Sequence, residues 1–192
     1  LNEVIDRQKG NPVSLSILYI EVARVAGVRV DGISLRKHFV VAVGSGDERM
    51  YIDPFHSGGL MSRKECMVSV LCGEKVSGAD LDELERKFLS GVKKRVILRR
   101  LLTNLKVSHG KYKEYDLALS ASEQIQMLDP ASLRNLSELA HLQTKVGNFS
   151  DAVDSLTRFL ERAPAGSNTE QAESALRRLK ALTARGSEES AE

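Results

Sequence analysis

The chain has 192 residues, a formal net charge of +2, 28% charged residues and 42% hydrophobic residues. That balance belongs to a folded chain of one large or two small domains and excludes disordered and collagen-like classes. Its two cysteines, Cys66 and Cys72, cannot build a disulfide framework, no CxxC pair suggests zinc or thiol redox chemistry, and no apolar run approaches the ~18 residues of a membrane span.

These features predict a soluble protein of a reducing compartment, with bacterial cytoplasm and the interior of a plastid or mitochondrion both open. The polar opening from Leu1 has no basic n-region or apolar h-region. Without an initiator Met, the chain reads as a fragment or a processed form.

The first strong element follows Asn11-Pro12. Asn11 suits a helix N-cap, and Pro12 suits the first helical position, where a missing N–H costs nothing. Apolar residues then recur from Val13 to Ala26, and Gly27 is placed to end the helix in a left-handed cap. A helix apolar on most sides is expected to be buried by more than one neighbour.

Two strands follow. Phe39 to Val43 is an apolar run, Gly44-Ser45-Gly46-Asp47 supplies turn chemistry, and Met50-Tyr51-Ile52 resumes the pattern. With no helix after it, Gly44-Ser45-Gly46 is a turn and not a phosphate loop. A hairpin symmetric about Ser45 and Gly46 pairs residues whose numbers sum to 91, which sets His38 across from Asp53. Opposed side chains share a face with Cβ atoms ~5 Å apart, so these two are expected to hydrogen-bond.

Beyond about residue 80 the pattern is helical, with helices expected at 92–108, 114–128, 133–146, 149–162 and 168–184. Tyr115, Ala118 and Pro130 each stand 34 residues before Phe149, Ala152 and Pro164. Aromatic, Ala and Pro at a 34-residue period form the tetratricopeptide (TPR) pattern. The first unit reads as having a turn three residues longer, counted from Gly110 instead of Gly147.

Between Glu85 and Glu114 there are ten basic residues and no acidic one. On the helix from about 92, Lys93, Lys94, Arg95, Arg99, Arg100 and Lys106 are expected to form a basic flank beside the packing residues. Such a flank suits an acidic partner, RNA or an anionic surface. The plainer alternative is a solvated face neutralised by Asp80, Asp82, Glu83 and Glu85. No aromatic interleaves Lys93 to Lys106, so a protein partner is favoured over nucleic acid.

Several stretches together carry a family resemblance. They are Arg7 to Leu15, Ile17-Leu18-Tyr19, Ala23 before Gly27, His38-Phe39, Ile52-Asp53-Pro54-Phe55, Gly58-Gly59-Leu60 and Ser62 to Cys66, with a TPR tail after them. In this the chain resembles the transglutaminase-like proteins of the bacterial SirB type, also found within some eukaryotic F-box proteins. The resemblance implies an α+β fold: a papain/transglutaminase-like core with a buried helix and an antiparallel sheet, followed by an all-α TPR array. The expected divisions are a core at 1–78, a linker at 79–91, TPR helices with a capping helix at 92–184, and a disordered acidic tail at 185–192.

Active members of the wider group use a Cys–His–Asp triad, with the cysteine at the start of the buried helix, where dipole and histidine lower its pKa. The resemblance assigns the histidine and aspartate to His38 and Asp53. Counting back from Gly27 puts the nucleophile between Pro12 and Ser14, where there is no cysteine and only Ser14 carries a nucleophilic group. SirB-type proteins look cysteine-less there. Where they tend to read Pro-Gly-His-Phe, this chain has Arg36-Lys37-His38-Phe39, which alters the mouth of the pocket. Cys66 and Cys72 follow the His–Asp pair, in the wrong order for the nucleophile, and read as small core residues.

Ser14, His38 and Asp53 are therefore expected to be a vestigial triad, and the chain a protein-binding scaffold, adaptor or assembly factor without enzymatic activity. Its partner would be another protein or peptide in the TPR groove, with an acidic partner at the basic flank. The alternative is a hydrolase or acyl-transferase with Ser14 as nucleophile, His38 as base and Asp53 orienting it. His38, Asp53 and His56 have metal-ligand chemistry, but Pro54 breaks a helix between the last two and no fourth ligand is evident, so no metal and no cofactor are expected.

Overall fold

The computed structural model describes residues 1–76, 78–164 and 169–189. A short helix α1 (Asn2–Arg7) precedes α2 (Pro12–Val25). Asn11 Oδ1 accepts from the backbone N–H groups of Val13 and Ser14, each at 3.0 Å. Ser14 Oγ accepts in return from the Asn11 N–H at 2.9 Å. This reciprocal box satisfies donors that the first helical turn leaves free. Gly27, at φ +74°, turns the chain out of the helix.

Burial of α2 is narrower than its composition suggests, which corrects the expectation of several covering neighbours. Only Val13, Ser14 and Ser16 are buried, while Val22 is 62% and Val25 80% exposed. The small Ser16 lets the helix approach the sheet, its hydroxyl reaching the Phe39 carbonyl at 3.4 Å. Leu15, Leu18, Tyr19 and Val22 instead line an open groove with Val28, Val30 and Val43.

Strands β1 (Val30–Ser34), β2 (Phe39–Val43), β3 (Met50–Asp53) and β4 (Gly59–Met61) form one antiparallel sheet in that order. The sequence pattern revealed only the middle two. In β1, Asp31 and Gly32 interrupt the apolar run, and Gly32 is closely packed: a Cβ there would lie 3.1 Å from the Ile97 and Phe39 side chains, which would have to shift. The β2–β3 register pairs Val41 with Ile52 and Ala42 with Tyr51, so opposed numbers sum to 93 and not 91. A 3-10 turn at Gly46–Glu48 occupies the connection, so its centre lies one residue later. This shift of two in register keeps every side chain on its expected face.

Helix α3 (Arg63–Leu71) starts with a second capping box, between Ser62 and Glu65. Residues 79–91, expected as a linker, contain helix α4 (Ala79–Phe88). Its Leu81, Leu84 and Phe88 pack on the cluster of Ile33, Leu35, Val40, Tyr51, Cys66, Met67 and Val70, in which Leu89 is buried. The i, i+3, i+7 spacing of those apolar residues is a helical stripe, with Asp80 and Asp82 in the first turn and Arg86 and Lys87 in the last, as the helix dipole favours. Beyond it the Val92 N–H donates to the Gly32 carbonyl at 2.9 Å, which pairs part of the free edge of β1. Cys66 is fully buried, but Cys72 is exposed at the α3 C-cap with φ +52°, a correction to its reading as a core residue.

The chain divides into two compact units, Leu1–Leu101 and the residues from Leu102 onward, and helix α5 (Lys94–Lys111) runs through the division. The second unit continues with α6 (Tyr115–Leu128), α7 (Leu133–Lys145), α8 (Phe149–Arg162) and α9 (Glu170–Glu189). Ala118 and Ala152, one repeat apart, are both completely buried. Ala118 sits among Leu119, Leu136, Leu139 and Leu142, and Ala152 among Ala140, Leu156 and Leu179.

The first inter-helix turn is not longer than the second. Gly110 lies inside α5, and Lys113 at φ +61° holds the left-handed position that Gly147 holds at φ +83°, 34 residues later. Helix α9 continues to Glu189, so the expected end at 184 is corrected: apart from Gly186 these residues are acceptable helix formers. Of the expected acidic tail, residues 190–192 lie outside the described residues.

Candidate functional site

Asp53 ends β3 and caps a 3-10 turn, Pro54–His56. Pro54 has no N–H to satisfy and fixes the first φ of the turn. Asp53 Oδ1 accepts from the backbone N–H groups of Phe55 at 2.9 Å and His56 at 3.3 Å. The other oxygen, Oδ2, accepts from His38 Nε2 at 2.6 Å and from His56 Nδ1 at 2.7 Å. A carboxylate only accepts, so both facing nitrogens carry protons. Asp53 is 4% exposed. Burial alone would raise its carboxyl pKa, but the hydrogen bonds from His56 and His38 outweigh that and hold it below the usual range.

The observed register puts His38 and Asp53 on a diagonal of one face, within reach of a long side chain. Phe55 stands edge-on to both imidazoles, at ring separations of 6.1 Å from His38 and 5.1 Å from His56. Sequence reasoning broke the chain at Pro54 and so missed that His56 reaches Asp53. The missed signal was Asp-Pro-x-His itself: an Asp cap with Pro next opens a 3-10 turn, where residues three apart eclipse.

Ser14 is only 4% exposed, and its hydroxyl is occupied by its own helix, accepting from the Asn11 N–H and donating to the Asn11 carbonyl at 3.1 Å. Among the described residues no hydrogen bond joins Ser14 to His38. The arrangement orients and polarises an imidazole, while the Ser14 hydroxyl is engaged with its own helix cap. Burial, with Glu65 and Asp53 nearby, pushes the Cys66 thiol up to about 11, so it stays protonated at neutral pH. Arg36 is turned toward Glu74, at 2.9 Å, and over the Phe88 ring.

The expected basic flank is smaller than predicted. Lys106 is 8% exposed, with Nζ donating to Asn135 Oδ1 at 2.8 Å and paired with Glu138. It stands i+4 from Leu102, and these two are the buried residues of α5. Asn135 extends the network, donating to the Ser122 carbonyl at 3.0 Å and Gln126 Oε1 at 2.9 Å. Arg100 is half-buried, with Nη2 donating to the Arg36 carbonyl at 3.2 Å, and burial lowers its pKa. Lys93, Lys94, Arg95 and Arg99 are exposed.

A second feature lies within the helical unit. Ser137, Ala140, His141 and Thr144 of α7 and Ala172, Ala175, Arg178, Leu179 and Leu182 of α9 line a groove of about 460 Å³, with Leu156 of α8 and Gln171. Among the described residues no Asp or Glu lines it. His141 and Arg178 are exposed, and neither makes a hydrogen bond or ion pair among the described residues. Sequence reasoning anticipated a groove but not its lining, although the spacing 172, 175, 179, 182 marks one face of α9.

An imidazole–carboxylate pair beside a helix start, followed by helices at a 34-residue period, defines a transglutaminase-like core joined to tetratricopeptide repeats. The profile of the transglutaminase-like superfamily matches residues 1–103, and that of the tetratricopeptide repeat matches 105–178. The chain belongs to the transglutaminase-like superfamily. It is 34% identical over 176 residues to a UPF0162 protein of Xylella fastidiosa, covering 88% of this chain and 60% of that one. To a Vibrio cholerae UPF0162 protein the identity is 25% over 165 residues, covering 85% and 59%. F-box only protein 21 of Mus musculus is 31% identical over 124 residues, covering 60% of this chain and 18% of the mouse protein. The chain thus spans about 60% of the length of the bacterial relatives it matches. The C-terminal TPR-containing domain of a Plasmodium falciparum FK506-binding protein superposes at TM-score 0.42 with 16% identity, over 66% of this chain and 76% of that one.

Proposed function

We propose that the chain is a protein-binding scaffold, an adaptor or assembly factor, in which the transglutaminase-like core is catalytically degenerate and the helical unit takes a partner segment. The observation that supports this most is the α7–α9 groove. It is apolar at its floor, where Leu156 and Leu179 are buried, open at Leu182, which is 49% exposed, and edged by His141 and the Arg178 guanidinium, with no acid among the described residues of its lining. An extended segment with one or two apolar side chains and a carboxylate complements it in shape and sign.

Selection of peptides from a random library on the full chain tests the reading. The expected binders combine acidic and apolar residues, and their affinity drops at least tenfold on Arg178→Glu, a surface change that leaves the fold intact. Binders indifferent to both Arg178→Glu and Leu182→Glu would remove the groove from the proposal.

Hydrolysis or acyl transfer through Ser14 has no observation in its favour, because the hydroxyl is committed to its helix cap.

A further inference from the structure

We infer that His38, Asp53 and His56 together form a binding site for one divalent transition-metal ion of the zinc, cobalt or nickel type. Two imidazole nitrogens and one carboxylate oxygen converge so that all three donor atoms lie within 4.8 Å of one another. Two histidines and one carboxylate are a donor set that first-row transition ions prefer and that magnesium or calcium does not.

The carboxylate is already positioned. Two backbone N–H groups hold Oδ1, and Oδ2 faces both rings, accepting from each. Support of this kind behind a ligand is what fixes the direction of metal-binding side chains. Chain geometry supplies it cheaply, since the 3-10 turn after Asp53 puts His56 three residues on and on the same side.

Charge and access agree with the inference. The Asp53 carboxylate gives the cluster a negative charge, which a divalent cation complements. Each ring keeps one proton on binding: His38 moves its proton to Nδ1 and His56 to Nε2, and the two nitrogens now facing Asp53 give their lone pairs to the ion. Metal–nitrogen and metal–oxygen distances of about 2.0–2.1 Å in a tetrahedral site require donor separations of about 3.3 Å. The rings must therefore withdraw from Oδ2 by somewhat more than half an ångström. His56 can do so, because its side chain is 71% exposed and its one side-chain hydrogen bond among the described residues is at Nδ1. The same exposure opens the remaining coordination positions to water.

Titration of the full, chelator-stripped chain with Co²⁺, followed by the visible d–d absorption, reads the site, and Zn²⁺ competition confirms it. One ion per chain is expected, with the absorption abolished by excess Zn²⁺. His56→Ala should weaken Zn²⁺ binding at least tenfold by calorimetry while leaving the melting temperature of the metal-free chain within a few degrees of the parent. His141→Ala, at the exposed histidine in the groove, should leave it unchanged. Binding equally tight in the parent and in His56→Ala, or no Co²⁺ spectrum at millimolar ion, overturns the inference. Since His56 is exposed, misfolding of a His38 variant does not obscure either outcome.

Discussion

Ser14 shows how one hydroxyl can serve either chemistry or architecture. At the third position of α2 it closes the capping box with Asn11, and it is nearly inaccessible. Ser14→Ala should therefore lower stability by about 1 kcal/mol, the net worth of a typical intramolecular hydrogen bond, measured by urea denaturation. A serine-reactive fluorophosphonate probe should label parent and variant equally little; labelling lost with Ser14 would restore the nucleophile. Lys106 makes a comparable point in the helical unit, where a cation counted for partner binding is bound internally. Partial burial would raise the Glu138 carboxyl pKa, but hydrogen bonds from Lys106 and Arg134 outweigh it and hold the group below its usual range. A carboxyl depressed in the folded state adds stability that is present above its unfolded pKa of about 4.3 and is lost as pH falls through the lower folded value. Stability should drop between pH 5 and pH 3, and Glu138→Gln should flatten that part of the profile in denaturant titrations.

Repeat elements transmit more through their turns than their helices reveal. The α5–α6 turn puts Lys113 in the left-handed region, where Gly147 serves the α7–α8 turn. An L-residue there costs about 1–2 kcal/mol, partly offset by the lower unfolded-state entropy of a lysine compared with a glycine. Lys113→Gly should accordingly stabilise the chain by about 0.5–1 kcal/mol, raising the urea midpoint, whereas Gly147→Ala should lower it. No change in Lys113→Gly would mean that the turn relaxes without strain. This turn also marks where reading by sequence stopped. Helix positions are legible from periodic apolar residues and the 34-residue repeat, but glycine is the usual sign of such a turn and this one carries lysine. In the sheet, β2 and β3 declared themselves through alternating and apolar residues, while β1 hid behind Asp31, which pairs with Arg49, and Gly32, over which Ile97 and Phe39 pack. The His38–Asp53 pair was legible because a register error of two leaves faces intact. His56 was not, because its approach depends on a turn of three residues that no periodicity reports.

Helix α5 belongs to both compact units, with Lys94 to Leu101 in one and Leu102 to Lys111 in the other. Melting of either unit alone would force this helix to end in its middle. The surviving half would then be eight or ten residues long, below the ~12–15 at which an isolated helix becomes marginal in water. The fraying free energy is therefore charged to whichever unit opens first, and that links the unfolding of the two units through the helix they share. The parent chain should unfold in one calorimetric transition whose van't Hoff and calorimetric enthalpies agree. Thr103→Pro puts a helix breaker one residue past the division. It removes one backbone hydrogen bond and introduces a clash with the carbonyl four residues earlier, about 3 kcal/mol in a helix interior. With the helix already interrupted, neither unit gains from the other's half. Two transitions should appear, one shifted down by the lost helix and one close to the melting point of the more stable unit. A parent chain that already melts in two steps, or a variant that still melts in one, would show that α5 is not what joins them.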